Sequence, residues 1–265
     1  MMDKMIFGRY VPADSAIHKM DPRAKLLLVF LFVCTIFLAN NLLTYGLVAI
    51  FTLSLIVLSK IPPRFLYNGL KPVFFLIIFT FLLHILFTKE GEVVFELGFI
   101  NIYEGGIKQG AFISLRFTFL ILITSLLTLT TSPISITDGM EELLNPFKKW
   151  KLPIHELALM MSISLRFIPT LMEETDKIMK AQAARGVDFT SGPLKDRVKS
   201  IVPLLVPLFV SSFKRAEELA TAMESRGYRG GEGRTKYRQL SWNTRDNLLM
   251  AALVVLAILL FLLRS

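Results

Sequence analysis

A single cysteine, Cys34, and three scattered histidines, His18, His84 and His155, are the whole supply of thiol and imidazole ligands in 265 residues. A disulfide framework is thereby excluded, and metal or redox chemistry at Cys34 lacks a second ligand. His155-Glu156 opens like a zinc-protease motif, but the residue four positions beyond His155 is Leu159, so the ligand pair is not completed. No Gly-x-x-x-x-Gly-Lys-Ser/Thr occurs; the cluster Gly227, Gly230, Gly231 and Gly233 has no Lys-Ser/Thr at the needed offset and reads as a flexible loop. Charge is also scarce, at 19% of residues against 53% apolar, which excludes a disordered chain. No catalytic site, metal site or cofactor is expected.

Uninterrupted apolar sequence is what the chain has in quantity. From Leu26 to Ser59, 34 positions pass without a charge. One membrane crossing needs only about 20 residues, so two spans share this stretch. Asn40-Asn41, whose amides lipid would solvate poorly, divides it into helices near 24–39 and 42–59, and Pro62-Pro63 stops the second. Further uncharged runs at 72–88, 117–132 (extended back through Arg116 to Gly110) and 247–263 give five spans. The first 25 residues mix charges with proline and glycine and contain no apolar segment of the kind a cleavable signal needs.

The net charge of +9 belongs to cytoplasmic loops, not to nucleic-acid binding. Residues 1–25 carry five cations, the loop 60–71 carries three without an acid, and 133–245 carries eighteen; between spans three and four only Lys89 and Lys108 face Glu90, Glu92, Glu96 and Glu104. The N-terminus is therefore expected in the cytoplasm and the C-terminus outside. The external segment 93–103, with β-branched residues around Gly98, reads as a short hairpin cap. Arg116 is expected near the outer end of span four, snorkelling or touching another helix.

The block 133–245 alternates apolar stretches with charged helical ones. A short helix is read near 137–150, with Asp138, Glu141 and Glu142 at its start and Lys148 and Lys149 at its end, although Pro146 limits its regularity. Two long helices follow near 154–185 and 195–226. Pro169 bends one, and Pro203 and Pro207 bend the other. The uncharged stretch 200–213 is too short to cross. Ala181 and Ala184 on one helix, and Ala216 and Ala220 on the other, would permit close approach if the helices cross. The expected organisation is therefore 1–132 for the N-terminal region with spans one to four, 133–245 for a cytoplasmic module of three helices, and 246–265 for the last span.

The two long helices end alike, Ala183-Ala184-Arg185-Gly186 in one and Glu224-Ser225-Arg226-Gly227 in the other, with the arginines 41 residues apart. Read singly, each is an ordinary termination, with glycine in the left-handed position and arginine compensating the negative helix end. Read together, two helix tips each presenting a guanidinium suit two similar acidic grooves, because the planar fork pairs bidentately with carboxylates and keeps its charge when desolvated.

The opening Gly8-Arg9-Tyr10-Val11-Pro12-Ala13-Asp14-Ser15, then His18, then Asp21-Pro22-Arg23-Ala24-Lys25-Leu26, together with the doubled Arg-Gly ending, resembles the transmembrane T component of energy-coupling factor (ECF) transporters. The resemblance covers essentially the whole chain. It implies an all-α integral membrane scaffold in a bacterial or archaeal cell membrane. That scaffold joins two ABC-type ATPase subunits in the cytoplasm to a membrane-embedded S component that captures a vitamin or metal ion. It has no nucleotide site of its own. The family's two Ala-Arg-Gly motifs fall on Ala184, Arg185 and Gly186 and on Ser225, Arg226 and Gly227, the second with serine in place of alanine. The apolar faces upstream, including Leu165, Phe167, Ile168, Leu204, Leu205, Leu208 and Phe209, would contact the S component or pack within the protein. The opening leans towards a shared system serving several vitamins over a dedicated cobalt or nickel one. A membrane-protein insertase is the competing reading, but its large cytoplasmic hairpin would follow the first spans, where this chain has only 60–71. A membrane-bound transferase would need clustered aspartates that are absent.

Overall fold

The computed structural model describes residues 10–97, 100–150, 153–187, 189, 193–230 and 239–264. Their elements run α1 (Pro22–Ile36), α2 (Leu42–Ser59), α3 (Pro63–Phe87), β1 (Val93–Leu97), β2 (Ile100–Tyr103), α4 (Glu104–Thr130), α5 (Pro133–Leu144), a 3-10 segment (Asn145–Trp150), α6 (Ile154–Ala184), α7 (Leu194–Ser225) and α8 (Thr244–Leu262). The fold is all-α apart from one antiparallel hairpin, in which Val93 faces Tyr103 and Leu97 faces Ile100. That hairpin is the expected one; its Gly98 turn lies outside the described residues, as do Gly8, Arg9, Gly231 and Gly233. The described chain divides into two compact units, a bundle of the residues up to Leu143 with those from Gln239 onward, and a helical pair beginning at Leu144.

The bundle's core lies between α1, α2, α4 and α8, where Phe32, Ile36, Val48, Ile123, Leu253 and Leu260 are almost wholly buried. Tyr45 stacks on Phe112 with ring centroids 5.0 Å apart. α3 leans on α4, and glycines set the closeness of that pair. A Cβ on Gly106 would stand 2.9 Å from the His84 carbonyl oxygen, and one on Gly110 would stand 3.0 Å from the Phe81 ring. α5 sits in the same unit, since a Cβ on Gly139 would meet Pro22 at 3.1 Å and Leu26 at 3.2 Å.

Among the described residues five helices are long and apolar enough to cross a membrane: α2, α3, α4, α6 and α8. The number is the one expected, but the membership differs. α1 has only 15 residues. That is about 22 Å at 1.5 Å per residue, short of a hydrocarbon core of roughly 30 Å. It stops at Ile36 because Phe37, Leu38 and Ala39 lead into Asn41, the cap of α2, whose side chain forms a capping box with Thr44. α6 qualifies through its apolar first half, which exposes Leu157, Met160 and Met161. α7, as expected, is not in the set.

Two further expectations are corrected. The short helix begins at Pro133, not near Thr137, so Asp138, Glu141 and Glu142 lie within it, and Pro146 turns its continuation into a 3-10 segment. Arg116 lies in the middle of α4, not near its outer end, because α4 starts at Glu104. Its Nη2 donates to the Ala39 carbonyl at 3.1 Å, and its guanidinium stands 5.1 Å from the Phe37 ring centroid. The arginine therefore holds the end of α1 to α4 and does not snorkel.

The N-terminal sequence closes the opposite end of the bundle. Asp21 caps α1 by accepting from the Arg23 amide at 2.8 Å, with Pro22 at the first helical position, and its carboxylate also takes a two-pronged bond from the Arg23 guanidinium. The Asp21 amide donates to Asp246 Oδ1 at 3.1 Å, while Asp246 Oδ2 accepts from the amide of Asn243, the cap residue of α8, at 2.8 Å as its half of a capping box. Lys25 Nζ donates to the Thr130 carbonyl at 3.0 Å and to Thr131 Oγ1 at 3.1 Å, tying in the end of α4. Asp21, Lys25 and Asp246 are all buried and all partnered, as buried charges must be. The Val11 amide reaches the Leu129 carbonyl at 3.0 Å, and His18 bridges the Val11 carbonyl at 3.0 Å to Ser15 Oγ at 2.7 Å.

Candidate functional site

The Arg-Gly endings of α6 and α7 have the same backbone geometry. Gly186 and Gly227 take φ of 88° and 76°. The Gly186 amide bonds the Ala183 carbonyl at 3.0 Å and the Val187 amide bonds the Gln182 carbonyl at 3.1 Å; the Gly227 amide bonds Glu224 at 2.9 Å and the Tyr228 amide bonds Met223 at 3.0 Å. Both ends are therefore Schellman motifs, in which the left-handed residue lets two amides reach back to the last free carbonyls. A Cβ on either glycine would meet nothing within 4 Å, so the backbone angle, not crowding, requires glycine there. Arg185 and Arg226 are the cap residues, with φ of −87° in both, and both are exposed. Ala184 and Ser225 occupy the matching last helical positions, so the serine leaves the geometry unchanged; its hydroxyl donates to the Ala222 carbonyl at 3.0 Å.

The helices that carry these tips run antiparallel. Gln182 Nε2 donates to the Pro203 carbonyl at 3.4 Å, Glu174 meets Ser211 and Arg215, and Ile163 and Phe167 share a cavity of about 340 Å³ with Leu219 and Met223. The tips consequently point to opposite ends of the pair. The helices cross, but the alanines do not meet as a set. Ala216 and Ala220 line the cavity opposite α6, whereas Ala181 and Ala184 are exposed. Polar side chains hold the crossing instead.

The seven upstream candidates divide between faces. Phe167 lines the cavity and stands 5.8 Å from the Arg215 guanidinium carbon, and Leu165, Ile168, Leu204 and Leu208 are half-buried. Leu205 and Phe209 belong to an outward stripe with Ile201, Val202, Val206, Val210 and Phe213, the last 71% exposed. Phe209 and Phe213 stack along it, 6.3 Å between centroids. Its extent was not read from the sequence, although the recurrence of apolar residues at 201, 202, 205, 206, 209, 210 and 213 is a helical face available to a count. The buried Asp21, Lys25 and Asp246 set was also missed, since nothing local announces that Asp246 pairs with a residue 225 positions earlier. Among the described residues no group of three or more His, Cys, Asp or Glu is placed to hold a metal ion.

The family model described as "CbiQ: Cobalt transport protein" matches residues 13–237. Over the full length of both chains, the sequence is 68% identical to the energy-coupling factor transporter transmembrane protein EcfT of Bacillus subtilis (strain 168) and 57% identical to that of Listeria innocua. It is 52% identical to the protein of the same name in Streptococcus thermophilus, over 264 residues covering all of both chains. Apolar helices of spanning length and bacterial transporter relatives make this a multi-pass membrane protein. On these likenesses, over most of its length to the family model and over all of it to the relatives, the chain belongs to the CbiQ-type family and, within it, to the transmembrane components of energy-coupling factor transporters.

Proposed function

We propose that this chain is the transmembrane scaffold of an ECF-type importer, coupling ATP hydrolysis by two ABC-type ATPase subunits to vitamin uptake through an S component. The single observation that carries this reading is the doubled tip: two Schellman endings, each with an exposed arginine at the cap, on two antiparallel helices. Ala184, Arg185 and Gly186 dock one ATPase, and Ser225, Arg226 and Gly227 dock the other. An exposed guanidinium at a helix end is already drawn to the helix's negative pole and is free to take a carboxylate with its outer edge. ATP-driven closure of the motor then moves the tips, and α6 and α7 carry the motion to the S component. The outward stripe with Leu205 and Phe209 is the docking face for that component, with Leu165, Phe167, Ile168, Leu204 and Leu208 as its support. The chain binds no nucleotide itself.

In this arrangement α2, α3, α4 and α8 cross the bilayer, and α1, too short to do so alone, makes the remaining span together with the turn 37–39 that continues it, with Phe32 and Ile36 fully buried. α6 rests at the cytoplasmic surface, because its second half carries Glu173, Glu174, Asp176, Lys177 and Lys180. The cation count then puts the N-terminus and 133–245 in the cytoplasm and the C-terminus outside. Truncating one tip arginine should cost about 2 to 5 kcal/mol of docking. The test is co-purification with uptake: Arg185→Ala combined with Arg226→Ala is expected to release the ATPases or to separate hydrolysis from uptake. Unchanged recovery of the ATPases together with unchanged uptake would refute the proposal.

A further inference from the structure

Glu174 of α6 has both carboxylate oxygens held from α7. Ser211 Oγ donates to Oε1, and Arg215 Nη2 donates to Oε2 at 3.2 Å. The same guanidinium stands 5.8 Å over the Phe167 ring, seven residues back on α6, and its Nε is buried without a hydrogen-bond partner. The ion pair is three-quarters shielded on the glutamate side and two-thirds on the arginine side, at 25% and 34% side-chain exposure. Shielding on this scale separates it from exposed pairs whose worth is near zero.

Its place in the pair is as telling as its chemistry. Glu174 lies eleven residues before Arg185, and Arg215 lies eleven residues before Arg226. The ion pair therefore joins corresponding positions of two similar helices and stands at the centre of their antiparallel arrangement, with an arm of about 16 Å to each tip. Pro169 precedes Glu174 by five residues, and Pro207 precedes Ser211 by four. Each proline removes one backbone bond just upstream of the crossing, which weakens the link between the tip-bearing half of its helix and the rest. To one side of the crossing the helices are parted by the cavity of about 340 Å³, whose small lining residues Ala216 and Ala220 leave room for rotation.

We propose that Glu174, Ser211, Arg215 and Phe167 form a pivot that fixes α6 to α7 at one point and makes the two arginine tips swing together. Without the pivot each arm would bend at its own proline and the displacement of one tip would not reach the other. These are positioning residues: they touch neither nucleotide nor cargo. The inference rests on the scaffold reading above, because it assumes that the tips are the driven points.

The assembled transporter, reconstituted with its ATPases and S component, separates the two ideas. ATPase recovery with the unsubstituted chain reports on the scaffold; the ratio of cargo taken up to ATP hydrolysed reports on the pivot. Glu174→Arg and Arg215→Glu are each expected to keep both ATPases bound while that ratio falls about ten-fold, and the two together, which rebuild the pair in reverse, should recover it to within about three-fold. A single variant that transports with unchanged ratio, or a double variant no better than the singles, overturns the pivot. Should the reversals fail to accumulate, Glu174→Gln decides, read as the distance between spin labels at positions 187 and 228 in a Cys34→Ser background. A broadened distribution supports the pivot and an unchanged one overturns it.

Discussion

The glycines that end α6 and α7 show how little side chain is needed to place a charge. At φ of 88° and 76°, with open space where a Cβ would go, Gly186→Ala and Gly227→Ala carry only a conformational cost. That cost is about 1 to 2 kcal/mol for a residue with a Cβ in the left-handed region. Each alanine variant is expected to reach the membrane at normal levels yet retain less ATPase on purification, whereas Gly186→Asn and Gly227→Asn, whose side chain tolerates that region, should retain more. Equal loss for alanine and asparagine would mean that the tip's shape is not what the partner reads. His18 makes a second claim at this scale. Burial, and then the charge of Lys25, hold its imidazole below the ordinary range, against the opposing pull of the Val11 carbonyl. A histidine whose pKa falls on folding is more readily protonated when unfolded, so its contribution is present above about pH 6.5 and fades as pH falls below that value. The midpoint of thermal unfolding in detergent should drop between pH 7.5 and pH 5.5, and the drop should shrink in His18→Gln.

At the scale of whole elements, the sequence was most legible where apolar runs met hard stops. Asn40-Asn41 divides α1 from α2 at the expected place, Pro62-Pro63 separates α2 from α3, and α6 and α7 end one residue before the arginines that were singled out. It was least legible where tertiary contacts decide. α1 is shorter than its uncharged run because the chain turns early to reach Asn41, and α4 begins long before the apolar run at 117 because Gly106 and Gly110 let its first turns lie against α3. The tips themselves could be named from sequence because their geometry is local, whereas the Glu174 contacts with Ser211 and Arg215 bring together residues 37 and 41 positions apart. The junction of α1 with α8 has the same nonlocal origin, and it yields a test. Asp246→Ala opens the capping box that Asp246 shares with the cap residue Asn243 of α8 and strands the buried Asp21 amide, a loss of about 3 kcal/mol from half of a capping box and one unsatisfied buried donor. Asp246→Asn, which keeps one of the two acceptor oxygens, should lose less by thermal unfolding.

For the whole molecule, the ends of the helices fix which surfaces go together. Asn40 Nδ2 donates to the Arg264 carbonyl at 2.6 Å and Asn41 Nδ2 to that of Leu263 at 3.4 Å, so the C-terminus lies beside the α1–α2 turn. Asp21 and Asp246 mark the other end. With the proposed orientation, a membrane-impermeant thiol reagent added to intact cells should label Lys89→Cys but not Lys148→Cys, both in the Cys34→Ser background. Labelling of residue 148 from outside would invert the topology and remove the tips from any cytoplasmic motor.

Arg116 meets the α1–α2 turn halfway along α4, so the twelve residues from Arg116 back to Glu104 continue beyond it for about 18 Å. Tyr45 of α2 still stacks on Phe112 one turn beyond Arg116, and past that point, among the described residues, α3 and the hairpin accompany α4, which gives the bundle a stepped roof: a terrace of helix ends and a two-helix tower beside it. Amide protons in the tower should therefore exchange with solvent deuterium sooner than those lining the terrace, and the stacked rings of Tyr45 and Phe112 fill the inner corner of the ledge between them.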